Sequence, residues 1–225
     1  IPVGLNEAAL DSPTFRVTSA NFGDQVDAIE KWLNGYAQST SKLLHDVLAL
    51  EETINTYLVK TMPSAADGVV DNDYTFLALK RVGDGWREYW IQMISTMKKM
   101  DGLVVDPIRQ FIVGDLRNFK ECRRAMEQAQ RTFDSTLARY VSQSKTKEPS
   151  ALREDAFAVF DTRKAYLKAS MDYCQLAPPL RFSMDKMLVK ICSERWYQMR
   201  RAKEAAGDTS RWTLEMERIQ GWSNE

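Results

Sequence analysis

Histidine is almost missing from this chain: His45 is the only one among 225 residues. That excludes a multi-histidine metal centre and a histidine-based triad with a spare. His45 itself falls one position off an apolar seam and reads as an edge or surface residue. Cysteine is scarce too. Cys122, Cys174 and Cys192 are an odd number, far apart, with no C-x-x-C spacing. Each reads as a reduced thiol near an apolar helix face, where cysteine acts as a small hydrophobe, in a cytoplasmic setting. The ten glycines form no phosphate cradle, and the sequence has no G-x-x-x-x-G-K-[ST], G-x-G-x-x-G, H-E-x-x-H or G-x-S-x-G. The pairs Arg87-Glu88 and Glu51-Glu52 read as solvated helix faces, because neighbouring residues on a helix do not converge. No catalytic residue, metal ligand or cofactor is assigned, and the chain does not read as an enzyme. No run approaches the roughly 18 apolar residues of a membrane span, and no secretory signal is visible. Ile1 in place of Met leads us to expect a segment of a longer protein.

Net charge is lacking as well, with 31 basic and 31 acidic residues, but the two signs are not mixed evenly. Residues 1–75 carry only Arg16, Lys31, Lys42 and Lys60 against eleven acids, whereas residues 109–147 carry nine basic residues against Asp115, Glu121, Glu127 and Asp134. A neutral total therefore hides an acidic first segment and a basic second one, which points to an anionic partner. The neutral total and the absence of a recognition motif speak against nucleic acid.

What is present in quantity is helical periodicity. Residues 1–13 read as a lead-in, irregular over 1–11, with Ser12-Pro13 as a helix start, serine capping free amides and proline suiting the first position. From Phe15 to Tyr57 apolar residues recur every three or four positions, which predicts a helix of about 47 residues, roughly 70 Å at 1.5 Å per residue. Gly23 and Gly35 are weak points within it. Thr61 to Asn72 is a connector, after which Asp71, Asn72 or Asp73 can cap a second helix from Tyr74 to Ser144. Gly102 and Pro107 interrupt that helix, and a kink is expected near Pro107. The short turn Lys145–Ser150 forces an antiparallel third helix from Pro149, with Leu152, Phe157, Phe160, Tyr166, Leu167, Tyr173, Leu180, Met184, Leu188 and Ile191 on its apolar side and a kink at Pro178-Pro179. It fades near Gly207, and a short helix from Arg211 to Gln220 ends the chain, with Asp208 or Thr209 as its cap. The fold expected is all-α: three very long, kinked antiparallel helices. So thin a body leaves Trp32, Trp86, Trp90, Trp196 and Trp212 hard to bury, so a homodimer is expected.

The second helix carries the candidate site. Ile112, Leu116, Phe119, Met126, Phe133, Leu137 and Tyr140 make a narrow apolar seam. At about 100° per residue, Arg109, Arg117, Lys120, Arg124, Arg131 and Arg139 fall in one arc well off that seam. With Lys145 and Lys147 in the following turn, these are the candidate residues for meeting an anionic partner. Arg123 is left out, because it lies beside the seam and is expected to pair internally.

The segments VVDPIRQF (104–111), GDLRNFKECRRAMEQAQ (114–130), TFDSTLARY (132–140), SQSKTKEP (142–149) and AFAVFDTRKAYLKASMDYC (156–174), in this order and spacing, resemble a BAR domain. They are most similar to the group followed directly by a PH domain, and within it to fungal proteins linked to sterol transfer at endoplasmic-reticulum contact sites. The resemblance covers residues 14–206, leaving 207–225 as a short helix and linker towards a PH domain. It implies a crescent-shaped coiled-coil homodimer whose basic concave face and tips meet anionic phospholipid. Two functions follow. The first is a dimeric module that senses or generates membrane curvature, peripheral to the membrane, within a lipid- or sterol-transfer protein at contact sites. The alternative is a dimerisation and protein-docking scaffold, with lipid binding supplied by a neighbouring PH domain and a small GTPase or other protein as a further partner.

Overall fold

The structure is a computed structural model and describes residues 4–61, 69, 71, 73–143, 148–206 and 210–224. Every regular element among them is helical: α1 Leu5–Leu10, α2 Pro13–Lys60, α3 Thr75–Lys98, α4 Asp106–Phe111, α5 Arg117–Gln143, α6 Pro149–Ala206 and α7 Ser210–Ser223. π-helical turns occupy Asp101–Val105 and Ile112–Leu116. Contacts divide the chain into two compact units, one of residues 1–35 and 108–188, the other of 36–107 and 189–225.

The start departs from the irregular lead-in. Residues 5–10 are helical, and Asp11 stops them in the left-handed conformation, φ 52°. Ser12 then opens α2 as expected, its Oγ accepting from the amide of Phe15 at 3.1 Å. The next helix begins beyond Asp71, whose Oδ1 accepts from the amides of Asp73 and Tyr74 at 3.0 and 2.8 Å. Asp73 is itself held by Asp71 and is not the cap; the candidate caps Asn72, Asp208 and Thr209 lie outside the described residues, as do most of the connector and residues 144–147 of the tip turn.

In the first unit the ion pairs read the chain directions. Along α2, Arg16 meets Asp134, Asp24 meets Arg123 and Asp27 meets Lys120. Rising numbers in α2 thus match falling numbers in α5, so the two are antiparallel. Tyr166 and Tyr173 of α6 donate to Asp11 and to the carbonyl of Ser19 at 2.8 and 3.0 Å, which sets α6 parallel to α2. The core between them is aromatic: Phe119 lies 5.5 Å from Phe22 and 5.1 Å from Tyr173, and Phe133 stacks on Tyr166 at 5.9 Å. Phe15, Leu33, Ile108 and Leu116 complete it.

In the second unit, Lys98–Glu51 and Tyr57–Trp86 run α3 antiparallel to the end of α2. Ile54, Leu58 and Ile94 form a small core with Val47 and Trp90 against it. α7 lies along α3, antiparallel, through Arg81–Glu215 at 2.7 Å and the Tyr74–Trp222 stack at 4.5 Å. Residues 210–223 are therefore part of this unit's packing, and α7 runs on through Gly221.

The second predicted helix is not one uninterrupted α-helix. Met100 and Val105 are both buried, as are Phe111 and Leu116, each pair five residues apart. In α geometry such pairs point about 140° apart. One extra residue in the turn brings them to the same side, which is what the two π-helical turns do. Pro107 sits just after the first, so the irregularity expected there is a wide turn. α6 stays helical through Pro178 and Pro179, which are exposed while Ala177 and Leu180 are buried.

Other seam assignments fail. Phe157 and Phe160 are exposed, not buried. The buried line of α6 passes through Tyr166, Ser170, Tyr173 and Ala177, and nine residues back from Tyr166 is about half a turn away from it. Leu137 is partly exposed, and Cys192 is an exposed thiol, unlike buried Cys174 and half-buried Cys122. Burial raises the pKa of both Cys174 and Cys122. His45 is exposed, as expected. Gly23 is not a weak point. A methyl on it would overlap the guanidinium of Arg123, so the absent side chain is what lets that arginine lie across α2.

Candidate lipid-binding face

The face on α4 and α5 is built on the side of the helix that the aromatic core leaves free. Ile108, Leu116, Phe119, Met126 and Phe133 are buried, while Arg109, Arg117, Arg124, Arg131 and Arg139 are exposed. The π-helical turn at Ile112–Leu116 adds one residue between Arg109 and the rest, about 100° of rotation. Arg109 moves across the arc by that amount but stays in it, beside Arg117 and Arg139.

The two edges of the arc differ in charge. Towards α2, Lys120 is half-buried, 3.2 Å from Asp27 and also bonded to Glu30. Its pKa is raised, first by the Glu30 hydrogen bond and then by Asp27, with burial opposing. Lys120 therefore belongs to the α2–α5 joint and not to the open arc in which the sequence placed it. Beside it, Arg123 binds Asp24, Asp27 and Glu127 at 3.2, 2.8 and 2.7 Å. Burial opposes its charge, but Glu127 and Asp27 outweigh that and raise its pKa. Asp27 answers in kind: burial pushes its carboxyl up, while Lys120 and Arg123 bring it below the usual range. The internal pairing expected of Arg123 is what the structure has.

Away from α2 the cations are open. Arg109, Arg124 and Arg139 make no ion pair among the described residues. Arg131 reaches only the amide oxygen of Gln128, at 3.4 Å. Arg117 pairs with Glu121 at 3.0 Å, an exposed neighbour one turn on, and such surface pairs contribute about 0–1 kcal/mol. Lys145 and Lys147 lie outside the described residues. The acids that neutralise Lys120 and Arg123 were visible as Asp24, Asp27 and Glu30, three apart on α2, but their register against α5 was not. No group of three or more His, Cys, Asp or Glu placed to hold a metal occurs among the described residues. Nor is any described helix long and apolar enough to cross a membrane.

Residues 3–178 match the family described as the BAR domain of the APPL family. Among curated proteins, a PH domain-containing protein of Schizosaccharomyces pombe is 27% identical over 194 residues, 85% of this chain. SIP3 and LAM1 of Saccharomyces cerevisiae, both described as membrane-anchored lipid-binding proteins, are each 26% identical over 84% of the chain. The chain spans 16% of the length of each of these relatives. The N-terminal I-BAR domain of IBARa from D. discoideum aligns over 98% of this chain and 94% of its own, at 15% identity and a TM-score of 0.28.

Proposed function

This chain belongs to the BAR-domain family, and from that premise we propose that it is a membrane-binding module that senses or generates curvature. Its anionic-lipid face is the open arc of Arg109, Arg117, Arg124, Arg131 and Arg139, with Lys145 and Lys147 extending it at the tip. The observation that carries this reading is the segregation of charge on α5. The cations nearest α2 are neutralised by Asp24, Asp27 and Glu30, while those facing away are open to phosphate, Arg117 carrying only its exposed pair with Glu121. Each basic side chain near an anionic leaflet contributes about 1 kcal/mol within a Debye length of about 8 Å. Five per chain, doubled in a dimer, hold the module at a surface even if half engage.

The homodimer is part of the proposal. Trp86, Trp196, Tyr197 and Leu214, all in the second unit, are exposed, an apolar surface that a second copy would cover. A dimer mass by light scattering at micromolar concentration is the expected result, and a monomer would sink this architecture. Within a longer chain, the module acts at the cytoplasmic side of a membrane in a lipid- or sterol-transfer protein at endoplasmic-reticulum contact sites. The lipid part of this reading is supported by the description of SIP3 and LAM1 as membrane-anchored lipid-binding proteins. The second reading, a dimeric docking scaffold that engages a small GTPase or other protein and leaves lipid to a neighbouring PH domain, draws on the same exposed apolar surface.

Co-sedimentation with phosphatidylserine and phosphoinositide vesicles at low and physiological salt separates the two. Binding should be salt-sensitive and lost when Arg117, Arg124 and Arg131 are changed to Glu. No binding by the wild-type chain, with the dimer intact, would favour the scaffold.

A further inference from the structure

A different face of α6 carries a second pattern that neither the core nor the α5 arc uses. Phe157 and Phe160 are 71% and 61% exposed. Arg153, Lys164 and Lys168, also exposed, lie among them. At about 100° per residue these five side chains occupy an arc of about 80°. The acids of the same stretch, Glu154, Asp155, Asp161 and Asp172, fall outside that arc, Asp161 at its border. None of the three cations makes an ion pair among the described residues. Beyond Pro178-Pro179 the combination recurs as Phe182, 70% exposed, and Lys186.

Three phenylalanines each more than half exposed are unfavourable in water, and nothing in the first unit's packing requires it. Rings interleaved with free cations suit one environment in particular, the boundary of an anionic bilayer. There an aromatic ring leaves water at head-group depth, and long basic side chains reach back to phosphate. A second copy of the chain suits the face poorly. A two-fold contact would bring Arg153, Lys164 and Lys168 of both copies into one interface with no acid on the face to offset them.

We propose that this α6 face is a membrane contact in its own right: Phe157 and Phe160 insert at the lipid–water interface while Arg153, Lys164 and Lys168 meet anionic head groups. It rests on the reading of the chain as a membrane module, but not on the α5 arc. The two contacts differ in kind. Attraction through α5 is electrostatic and weakens with salt, whereas ring insertion is apolar and persists.

The test is vesicle binding by the 225-residue chain, on phosphatidylcholine vesicles with and without phosphatidylserine, at physiological and high salt. The variants are Phe157→Ser with Phe160→Ser, Lys164→Glu with Lys168→Glu, and the α5 reversal. All sit at exposed positions, and circular dichroism with light scattering checks fold and mass. The double phenylalanine variant is expected to bind phosphatidylserine vesicles roughly tenfold more weakly, and to lose the part that resists high salt. The α5 reversal should remove the salt-sensitive part. Wild-type binding matched by the phenylalanine variant at both salts would overturn the inference alone; no wild-type binding would remove the membrane reading with it. A fall from dimer to monomer in the phenylalanine variant would assign the face to self-association instead. Binding to polyglutamate but not to vesicles would assign it to an acidic protein.

Discussion

Replacing Gly23 by Ala should run against the ordinary helix rule, and the structure says by how much. In an exposed helix interior the change stabilises by about 1 kcal/mol, because Gly has more backbone freedom to lose. Here the new methyl would overlap the guanidinium of Arg123, which is held by Asp24, Asp27 and Glu127. Asp24 is largely and Asp27 about half exposed, so each such pair contributes only about 0.2–1 kcal/mol after solvent screening. Displacing the guanidinium from all three costs about 1–2 kcal/mol, enough to cancel or reverse the helical gain. Gly23→Ala alone is therefore expected to be neutral or mildly destabilising. In an Arg123→Ala background the same change should stabilise by about 1 kcal/mol. Urea melts of the four proteins give the coupling energy, expected at about 1–2 kcal/mol. Additive effects, with Gly23→Ala stabilising in both backgrounds, would show that Arg123 does not lie across α2.

Phe133→Asp sets a carboxylate in the seam where Phe133 is buried, stacked on Tyr166 and covered by Arg163. Loss of the ring alone costs about 3–5 kcal/mol, so helicity and melting temperature should fall sharply, while Thr132→Asp on the exposed side should change little; unchanged melting of Phe133→Asp would put the seam in the wrong phase. Stability should also fall in acid. Burial raises the carboxyls of Asp11 and Asp27, but the hydrogen bonds and charges of Arg16 with Tyr166, and of Lys120 with Arg123, bring both below their usual range. A depressed carboxyl stabilises the fold above the unfolded value of about 3.9 and ceases to as pH falls through the folded one. Urea midpoints should hold from neutral pH to about 5 and drop below about 4, and Asp27→Asn should flatten that drop. Tyr166 works at the other end: burial and then Asp11 push its pKa up to about 12, so its contribution is intact below about 10 and is lost as pH rises towards its folded value.

Local patterns along the chain establish that the protein is helical, roughly where its long helices start, and that one face of the second helix is basic, though not the short helix Leu5–Leu10. Periodicity and capping are local, and Ser12, Asp71 and the spacing of Phe119, Met126 and Phe133 state them without reference to anything distant. The family was also legible, in the order of the segments from Val104 to Cys174. Which cations remain free depends on how the helices pack. Lys120 and Arg124 look alike along the chain, and the register of α2 against α5 turns one onto Asp27 and Glu30 and leaves the other open. Packing likewise decided where the helix must widen. Residues five apart, Met100 with Val105 and Phe111 with Leu116, reach one side only through a π-helical turn, and a fixed 100° step cannot show that. Phe157 and Phe160 make the same point from the other direction. A phenylalanine reads as core wherever it stands, and only the position of the Tyr166–Tyr173 seam, set by α2 and α5, turns these two outward.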